Sequence, residues 1–591
     1  VNDFKPATLE DSLFTFEAGS NRGIAPLLLP KNQLAAAINT TVRGSFATHR
    51  ATVRKINVSF SNVGVQTAIE SGLWQGADRY QPDNGSESLV AMISGRLFQF
   101  TPAILTPDST AWEIPIAGGP NPADRTQAWL WQSEKWTIIN DGLSIPIFFD
   151  GTTARRSNVG AGELPPGRMG AYGMGRNWFS LVDGKQFEGS DIVNSSSGTI
   201  GNNFRDAVLK VTQNTFLAGG GKFTVPGTMG EITAMKFVAN LDASLGQGPL
   251  HVFTYSTIFS CNAPVDNLTW QDITNPILTE TLISNGALAQ NSTVIANSDV
   301  IFRSLDGIRS EILGRRDFNT WGNVPQSNEV RPVLDQDSPD LLRYSSAVVF
   351  DNRYLITALP TPSDQGVYHK KLIALNFDTI SSLRGKAPSV YDDVWVGLNV
   401  LQLVTGQFNR VERCFAFCLN TITNTIDLYE ILKSGKAIYD VDDFGNQRII
   451  WEGESPVLFN YPDGDPRKHQ LKRLQDGEIY VDDLIGKVDF QVWYKPEESR
   501  CWIPWFKWQE CAPEVSETNP YAKPQFRPRM GLGEPSPAPC DETTNRPFRE
   551  GYNFQIKWII TGHCRFLGGR VRAITCPEPS YAPQNCTPQC P

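Results

Sequence analysis

The residues of this chain that could do chemistry are scattered and do not gather into a motif. Its five histidines, His49, His251, His369, His469 and His563, show no H-x-x-x-H or H-E-x-x-H spacing. Spacing therefore sets none of them beside a second metal ligand or a general base, and each reads as a packing or surface residue. The run Leu217-Ala218-Gly219-Gly220-Gly221-Lys222-Phe223 looks at first like a phosphate loop. It lacks both the distal Gly and the Ser/Thr after Lys that such a loop needs to cradle phosphate and hold magnesium, so it reads as a flexible turn. Asp440, Asp442 and Asp443, in YDVDDFGNQ (Tyr439 to Gln447), suggest a calcium loop, but the glycine and distal Glu of an EF-hand are out of register. A solvated turn is the better reading there. No G-x-S-x-G elbow is present.

Glycoside hydrolysis needs only two carboxylates, so a glycan-degrading propeller is the more serious enzymatic alternative. The phrase such propellers repeat is S-x-D-x-G-x-x-W. RSLDGIRSEI offers Ser304 and Asp306-Gly307 but no following Trp and no second copy. We assign no catalytic, cofactor-binding or metal-ligating residue and expect neither enzymatic activity nor a cofactor. Receptor binding is the third class, because aromatic clusters mark interfaces. Trp502, Trp505 and Trp508 stand three apart in CWIPWFKW, and Trp129, Trp131 and Trp136 stand close together in AWLWQSEKW. Core packing or subunit contact is the preferred reading for both, and neither a fibrous repeat nor a trimeric stalk is visible.

Cysteine usage points the same way. Seven of the ten cysteines (Cys501, Cys511, Cys540, Cys564, Cys576, Cys586 and Cys590) crowd the C-terminal part. Their spacings are irregular, only Cys586-x3-Cys590 approaches a zinc pair, and it lies in a Pro-rich tail. Cys414 and Cys418, four apart in VERCFAFCLN, fall on one face of a strand and read as core. The opening VNDFKPATLEDSLFTFEAGS has no basic segment leading into an apolar one, so no signal peptide is expected, and no stretch is apolar for long enough to span a membrane. A net charge of −9 without a basic run argues against a protein whose main task is to grip nucleic acid.

These side chains must be carried by a turn-dense β protein. With 591 residues, 49 Gly, 40 Pro and 32 Phe, the chain is too long for one core. Residues 1–60 read as an N-terminal extended docking arm. Pro26 and Pro30 punctuate it, and Lys31 to Ile38 could make at most a short helix before a strand. Residues 61–450 place short β-type runs between turn signals, with hairpins expected at Ser94-Gly95, Asp141-Gly142, Asp150-Gly151, Gly175-Arg176, Asp306-Gly307 and Asp351-Asn352, and within VTGQFNRVERCFAFC. ESLVAMISGRLFQFTP is the clearest of these. The theme recurs without an obvious linker, which predicts a divergent β-propeller of five to seven blades, each repeated hairpin forming the inner part of a blade. A series of β-sandwiches is the rival. Residues 451–591 read as a C-terminal β-sandwich-like domain with a Pro/Cys-rich tail, because Val488, Phe490, Val492 and Tyr494 alternate and NFQIKWIITGHCRFLGGRVRAI alternates again.

APLLLPKNQLAAAINTTVRGSF, followed by GLWQGADRYQPDNGSESLVAMISGRLFQF, resembles the opening of virion structural proteins of tailed bacteriophages. GDPRKHQLKRL, DLIGKVDFQVWYKPE and FREGYNFQIKWIITGHCR resemble their closing domain. In short-tailed phages the resemblance implies a tail tube or nozzle protein carrying a β-propeller. The protein would form a homo-oligomeric ring, a hexamer, in the tail of the virion. DNA would pass through during ejection, and other tail proteins such as an adaptor and fibres would be partners. A host-receptor-binding or glycan-degrading propeller of the virion is the alternative. A closing ring needs heterologous contacts, and the arm is the expected means of reaching a neighbour. An acidic lumen would keep DNA from sticking, with YDVDDFGNQ one place to look for it.

Overall fold

The computed structural model describes residues 7–82, 87–104, 106–193, 204–212, 222–238, 248–264, 270, 278–283, 285–296, 299–311, 325–378, 390–435, 437–497, 499, 501–512, 525–535 and 549–576. The chain is mainly β, with five small sheets arranged as a five-bladed propeller and a large curled sheet besides. It divides into two compact units: residues 51–377 with 394–447, and residues 1–50 with 378–393 and 448–591.

The first unit holds the five blades. Named from the inner strand outward, the first blade is Trp74–Tyr80, Ser88–Ile93, Arg96–Pro102 and Asp108–Ile114, with Asn57–Phe60 added in parallel at its outer edge. The second is Trp129–Ser133, Trp136–Asn140, Ile147–Phe149 and Ala154–Arg156, and the third Gly167–Gly173, Arg176–Leu181, Gln186–Gly189 and Lys222–Thr224. Ile232–Phe237, Leu250–Thr254, Thr257–Cys261 and Leu278–Ile283 make the fourth, and Val294–Ala296, Asp299–Ser304 and Gly307–Ser310 the fifth. Two further antiparallel groups belong to this unit. Ala347–Phe350, Arg353–Ser363 and Gly366–Asn376 form one, and residues 400–408, Val411–Asn420, Thr425–Ile431 and Val53–Lys55 form the other.

Blade packing explains why SLVAMI runs apolar without alternation. Leu89, Ala91 and Ile93 face one core with Phe98, Phe100, Phe415 and Phe417, while Val90 and Met92 face another with Ile139, Ile147 and Phe149 of the second blade. A strand covered on both faces has no polar side to write. The relay continues outward through the sequence. Ile138 and Phe148 meet Phe179 of the third blade, Trp178 and Phe187 meet Val252 and Phe259 of the fourth, and Phe253 and Ile258 meet Val300 and Phe302 of the fifth.

Every turn expected from the sequence is a hairpin turn here. At the first, Ser94 and Gly95 both take positive φ (48° and 76°), as a two-residue turn between twisted strands requires. Their place in the blade differs from the expectation that each forms the inner part. Ser94-Gly95 joins the second and third strands of its blade, Asp150-Gly151 joins the third and fourth, and only Gly175 closes an innermost pair. Turn chemistry fixes that two strands are adjacent and carries no signal about their distance from the axis.

In the second unit, two long strands, Lys472–Pro496 and Phe554–Thr575, pair antiparallel along most of their length. Val488, Phe490, Val492 and Tyr494 are all buried, as their alternation predicts. Thr8–Phe14 pairs with Phe554–Thr575, and Ala36–Ile38 pairs with Ile450–Glu454. Strands within residues 7–50 are thus part of this unit's sheet and do not form a separate body. Leu9, Leu13, Phe16, Leu34 and Val42 share one core with Trp451, Phe490, Tyr494, Trp558 and Phe566. The expected arm segment Lys31 to Ile38 makes no helix. The helical turn is a 3-10 turn at Pro26–Leu28, where Pro26 presets the first position.

Candidate functional site

The inner strands of the blades run side by side and in one direction, so their first residues gather at one end of the propeller axis. A cleft of about 510 Å³ opens there. Its wall is made by the approach to the second blade (Asp124, Arg125, Gln127, Trp129), the loop after that blade's second strand (Asp141, Gly142), and the starts of the third and fourth inner strands (Arg168, Glu231, Thr233). Gln290 and Arg343 complete it. Further along the same strands lies a cavity of about 420 Å³, with Asp78, Tyr172, Lys236, Phe237, Gln402 and Thr405 in its wall.

Hydrogen bonds from side chains and backbone fix the cleft. The loop carrying Arg125 is pinned to the first blade, where Gln75 donates from Nε2 to the Arg125 carbonyl (2.8 Å) and accepts from Gly95 N–H (2.9 Å), and Ala128 N–H donates to the Gln75 carbonyl (2.8 Å). Asn140 donates to the Arg168 carbonyl (2.9 Å). Gly142, at φ 83°, sits between Trp129 and Arg168: a Cβ there would come 3.4 Å from the indole and 3.6 Å from Arg168 Cγ. Any side chain at that position would enter the cleft.

Charge in the cleft is unevenly satisfied. Arg168 pairs with Glu231 at 2.5 Å, and Asp141 accepts from Leu143 N–H, Ser144 N–H and the Ser144 hydroxyl. Arg125 and Arg343 have no carboxylate partner among the described residues, and Arg125 Nε is buried without a hydrogen-bond partner. Arg343 lies against the Tyr344 ring and donates to its hydroxyl (2.9 Å).

The deeper cavity is different. Gln402 pairs through its amide with both backbone groups of Ala77, accepting at 2.9 Å and donating at 2.6 Å, and Gln290 does the same for Met235 at 2.8 and 3.1 Å. These amides stand in for strand partners that the inner edges lack. Burial pushes the Asp78 carboxyl up to about 6 and the Lys236 ammonium down, each partly offset by the charge of the other. The pair leaves the axis electrically balanced.

The residues weighed from sequence are mostly structural. His369 is buried, its Nδ1 donates to the Val400 carbonyl (3.2 Å), and burial lowers it to about 4. His251 meets Glu311 at 2.7 Å in the fourth and fifth blades. In the second unit His49 Nδ1 donates to the Arg50 carbonyl (2.6 Å), which leaves Nε2 to accept from His563 Nδ1 (2.7 Å), and His563 faces Asp483 at 3.7 Å. Burial, with the His563 charge, lowers His49 to about 3. Cys414 and Cys418 are buried in one core, as their spacing predicts, and burial raises both thiols. Cys501 is disulfide-bonded, whereas Cys511, Cys564 and Cys576 are free thiols.

Ser304 donates to Asp306 (2.8 Å) and Asp306 pairs with Arg309, so this phrase tightens a hairpin. Asp440 accepts from Val53 N–H and Asp443 pairs with Lys55, in a hairpin whose turn leaves Phe444 exposed. Trp131 and Trp136 are buried and donate to Asn177 and Asp206, and Trp505 is buried with Trp508 packed beside it. Only Trp129 of that set reaches the cleft. Residues 217–221 of the glycine run, and Cys540, Cys586 and Cys590, lie outside the described residues. Among the described residues no cluster of His, Cys, Asp and Glu could hold a metal, and no helix is long and apolar enough to cross a membrane.

Sequence reasoning missed Arg125, Arg168 and Arg343 altogether. They lie far apart in the chain, and only the common direction of the inner strands brings them to one opening.

No protein-family model matches the chain, and no curated protein matches it in sequence. Solved structures with some likeness include BamB from Moraxella catarrhalis (11% identity, 73% of this chain and 100% of that one, TM-score 0.28). The computationally designed Ika8 protein follows at 10% identity, 64% and 100% coverage and TM-score 0.28. A Trypanosoma rangeli sialidase shows 8% identity, 88% and 94% coverage and TM-score 0.27. Likeness at this level carries no functional information.

Proposed function

We propose that this chain is a structural component of a phage tail, a tube or nozzle protein that assembles into a ring through which DNA passes during ejection. The observation that carries the reading, beside the resemblance of the opening and closing phrases, is the length of the paired strands Lys472–Pro496 and Phe554–Thr575, 25 and 22 residues. At about 3.3 Å per residue the longer runs roughly 80 Å, far more than a compact domain of this size needs and suited to the wall of a tube. One of its faces is buried, and the other is largely half-buried, a surface available to a neighbouring copy.

The conduit lies between copies. The axial cavity of the propeller, about 420 Å³, equals a sphere roughly 9 Å across, narrower than the major groove of a duplex alone. On this reading the number of copies is six, the site of action is the tail of the virion, and the other partners are an adaptor and fibres. DNA is in transit only, which agrees with a net charge of −9.

Gold-labelled antibody against the chain, applied to particles released from cells that express it, tests this placement. Label confined to the tail supports the reading. Label on heads only, or a chain that never leaves with particles, overturns it.

A further inference from the structure

We propose that the cleft at the mouth of the propeller axis binds a sugar that carries a carboxylate. Three arginines, Arg125, Arg168 and Arg343, line one cavity of about 510 Å³, within the size range of small-molecule sites. Two of them, Arg125 and Arg343, have no carboxylate partner among the described residues. An arginine in the wall of a polar cleft with no carboxylate of its own can pair with an anion that enters the cleft. The planar fork of arginine matches a carboxylate better than any other side chain does.

The rest of the wall selects the body of the ligand. Trp129 is half-buried and offers an indole to the cleft, which suits the apolar face of a sugar ring. Asp124, Glu231, Gln127 and Thr233 supply acceptors and donors for hydroxyls. A nucleic-acid backbone is a poor match, because Asp124, Asp141 and Glu231 balance the three arginines and leave no excess of positive charge for successive phosphates. Gly142, without a side chain, keeps the space between Trp129 and Arg168 open.

The site is independent of the conduit reading, since it concerns the propeller alone. The experiment is saturation-transfer NMR on the full-length protein with three probes: N-acetylneuraminic acid, galacturonic acid and, as the neutral counterpart, galactose. The proposal expects transfer to at least one acidic sugar and none to galactose. Arg125→Gln and Arg343→Gln are each expected to weaken the acidic sugar about tenfold or more, the usual range for a hydrogen bond to a charged group. Arg125→Lys is expected to recover only part of the loss, because the ammonium lacks the fork. Unchanged melting temperatures separate these effects from misfolding, and Trp129→Phe, which keeps an aromatic face, is expected to retain binding. Failure of both acidic sugars, equal transfer to galactose, full displacement by inorganic phosphate at equal concentration, or undiminished binding by Arg125→Gln would each overturn it.

Discussion

In the five small sheets no strand exceeds seven residues, and each pairs with neighbours close in sequence. In the other unit, two strands reach 25 and 22 residues, and strands from residues 1–50 pair with partners more than 400 positions away. The blades are local structures that need their neighbours only to cover their faces. The long-stranded unit is assembled from three separated segments, so its stability depends on closing very long loops. The difference teaches that one chain can hold a body built by repetition and a body built by bringing its ends together, and that these fail differently.

The largest break expected is removal of residues 7–16. It deletes Leu9, Leu13 and Phe16 from the shared core and the strand that pairs with Phe554–Thr575. Burial of three such side chains is worth roughly 4–9 kcal/mol, comparable to the whole stability of a domain. Peptide-resolved hydrogen exchange should show residues 448–576 losing protection while the blade strands keep theirs.

Asp393→Ala should come next. Its carboxylate is buried, pairs with Arg22 at 2.7 Å and accepts from Ala37 N–H at 2.7 Å. Removing one partner of such a pair typically costs about 3–5 kcal/mol. Denaturant unfolding followed by exchange should place the loss in the same unit. Asp442→Ala, on an exposed hairpin turn of the other unit, should leave stability nearly unchanged.

Acid sharpens the contrast. His49, facing His563, Asp483, Arg50 and Arg565, has its folded value lowered to about 3 from 6.5, so the folded state binds fewer protons than the unfolded one below pH 6.5. The stability present above pH 6.5 is therefore lost as pH falls from 6.5 towards 3, by about 2 kcal/mol at pH 5. His49→Gln should flatten that part of the pH profile.

A change of the opposite sign is expected in the third blade. Burial, with the charge of Asp191, raises Glu188 to about 7 from 4.5. Its burdened charged form means that stability present below pH 4.5 is lost as pH rises through 7. Glu188→Gln should raise stability at pH 8 by about 3 kcal/mol and change nothing below pH 4.5, as read by melting curves at the two pH values.

Much of the fold is legible in local residue patterns. Ser94-Gly95 announces its hairpin, the unbroken apolar run Ser88–Ile93 announces a strand covered on both sides, and Val488 to Tyr494 announce a half-buried one. The pairing of Thr8–Phe14 with Phe554–Thr575 has no local signature, because nothing in either segment names its partner. The same limit hid the cleft. Trp129 stands out in sequence only as one of three tryptophans; its place as the first residue of the inner strand Trp129–Ser133 sets it at the cleft, while Trp131 on the same strand and Trp136 on the next are buried. Arg125 and Arg343 look like ordinary surface arginines until the strand directions are known.

The account's central claim is assembly into a ring with a passage between copies, and electron microscopy of the purified full-length protein, alone and with tail partners, tests it most directly. The account predicts class averages of a closed ring, six copies around a hole wide enough for duplex DNA, with the long strands in its wall. A protein that remains a single copy under all these conditions, or a ring whose only opening is the narrow axis of each propeller, would contradict it.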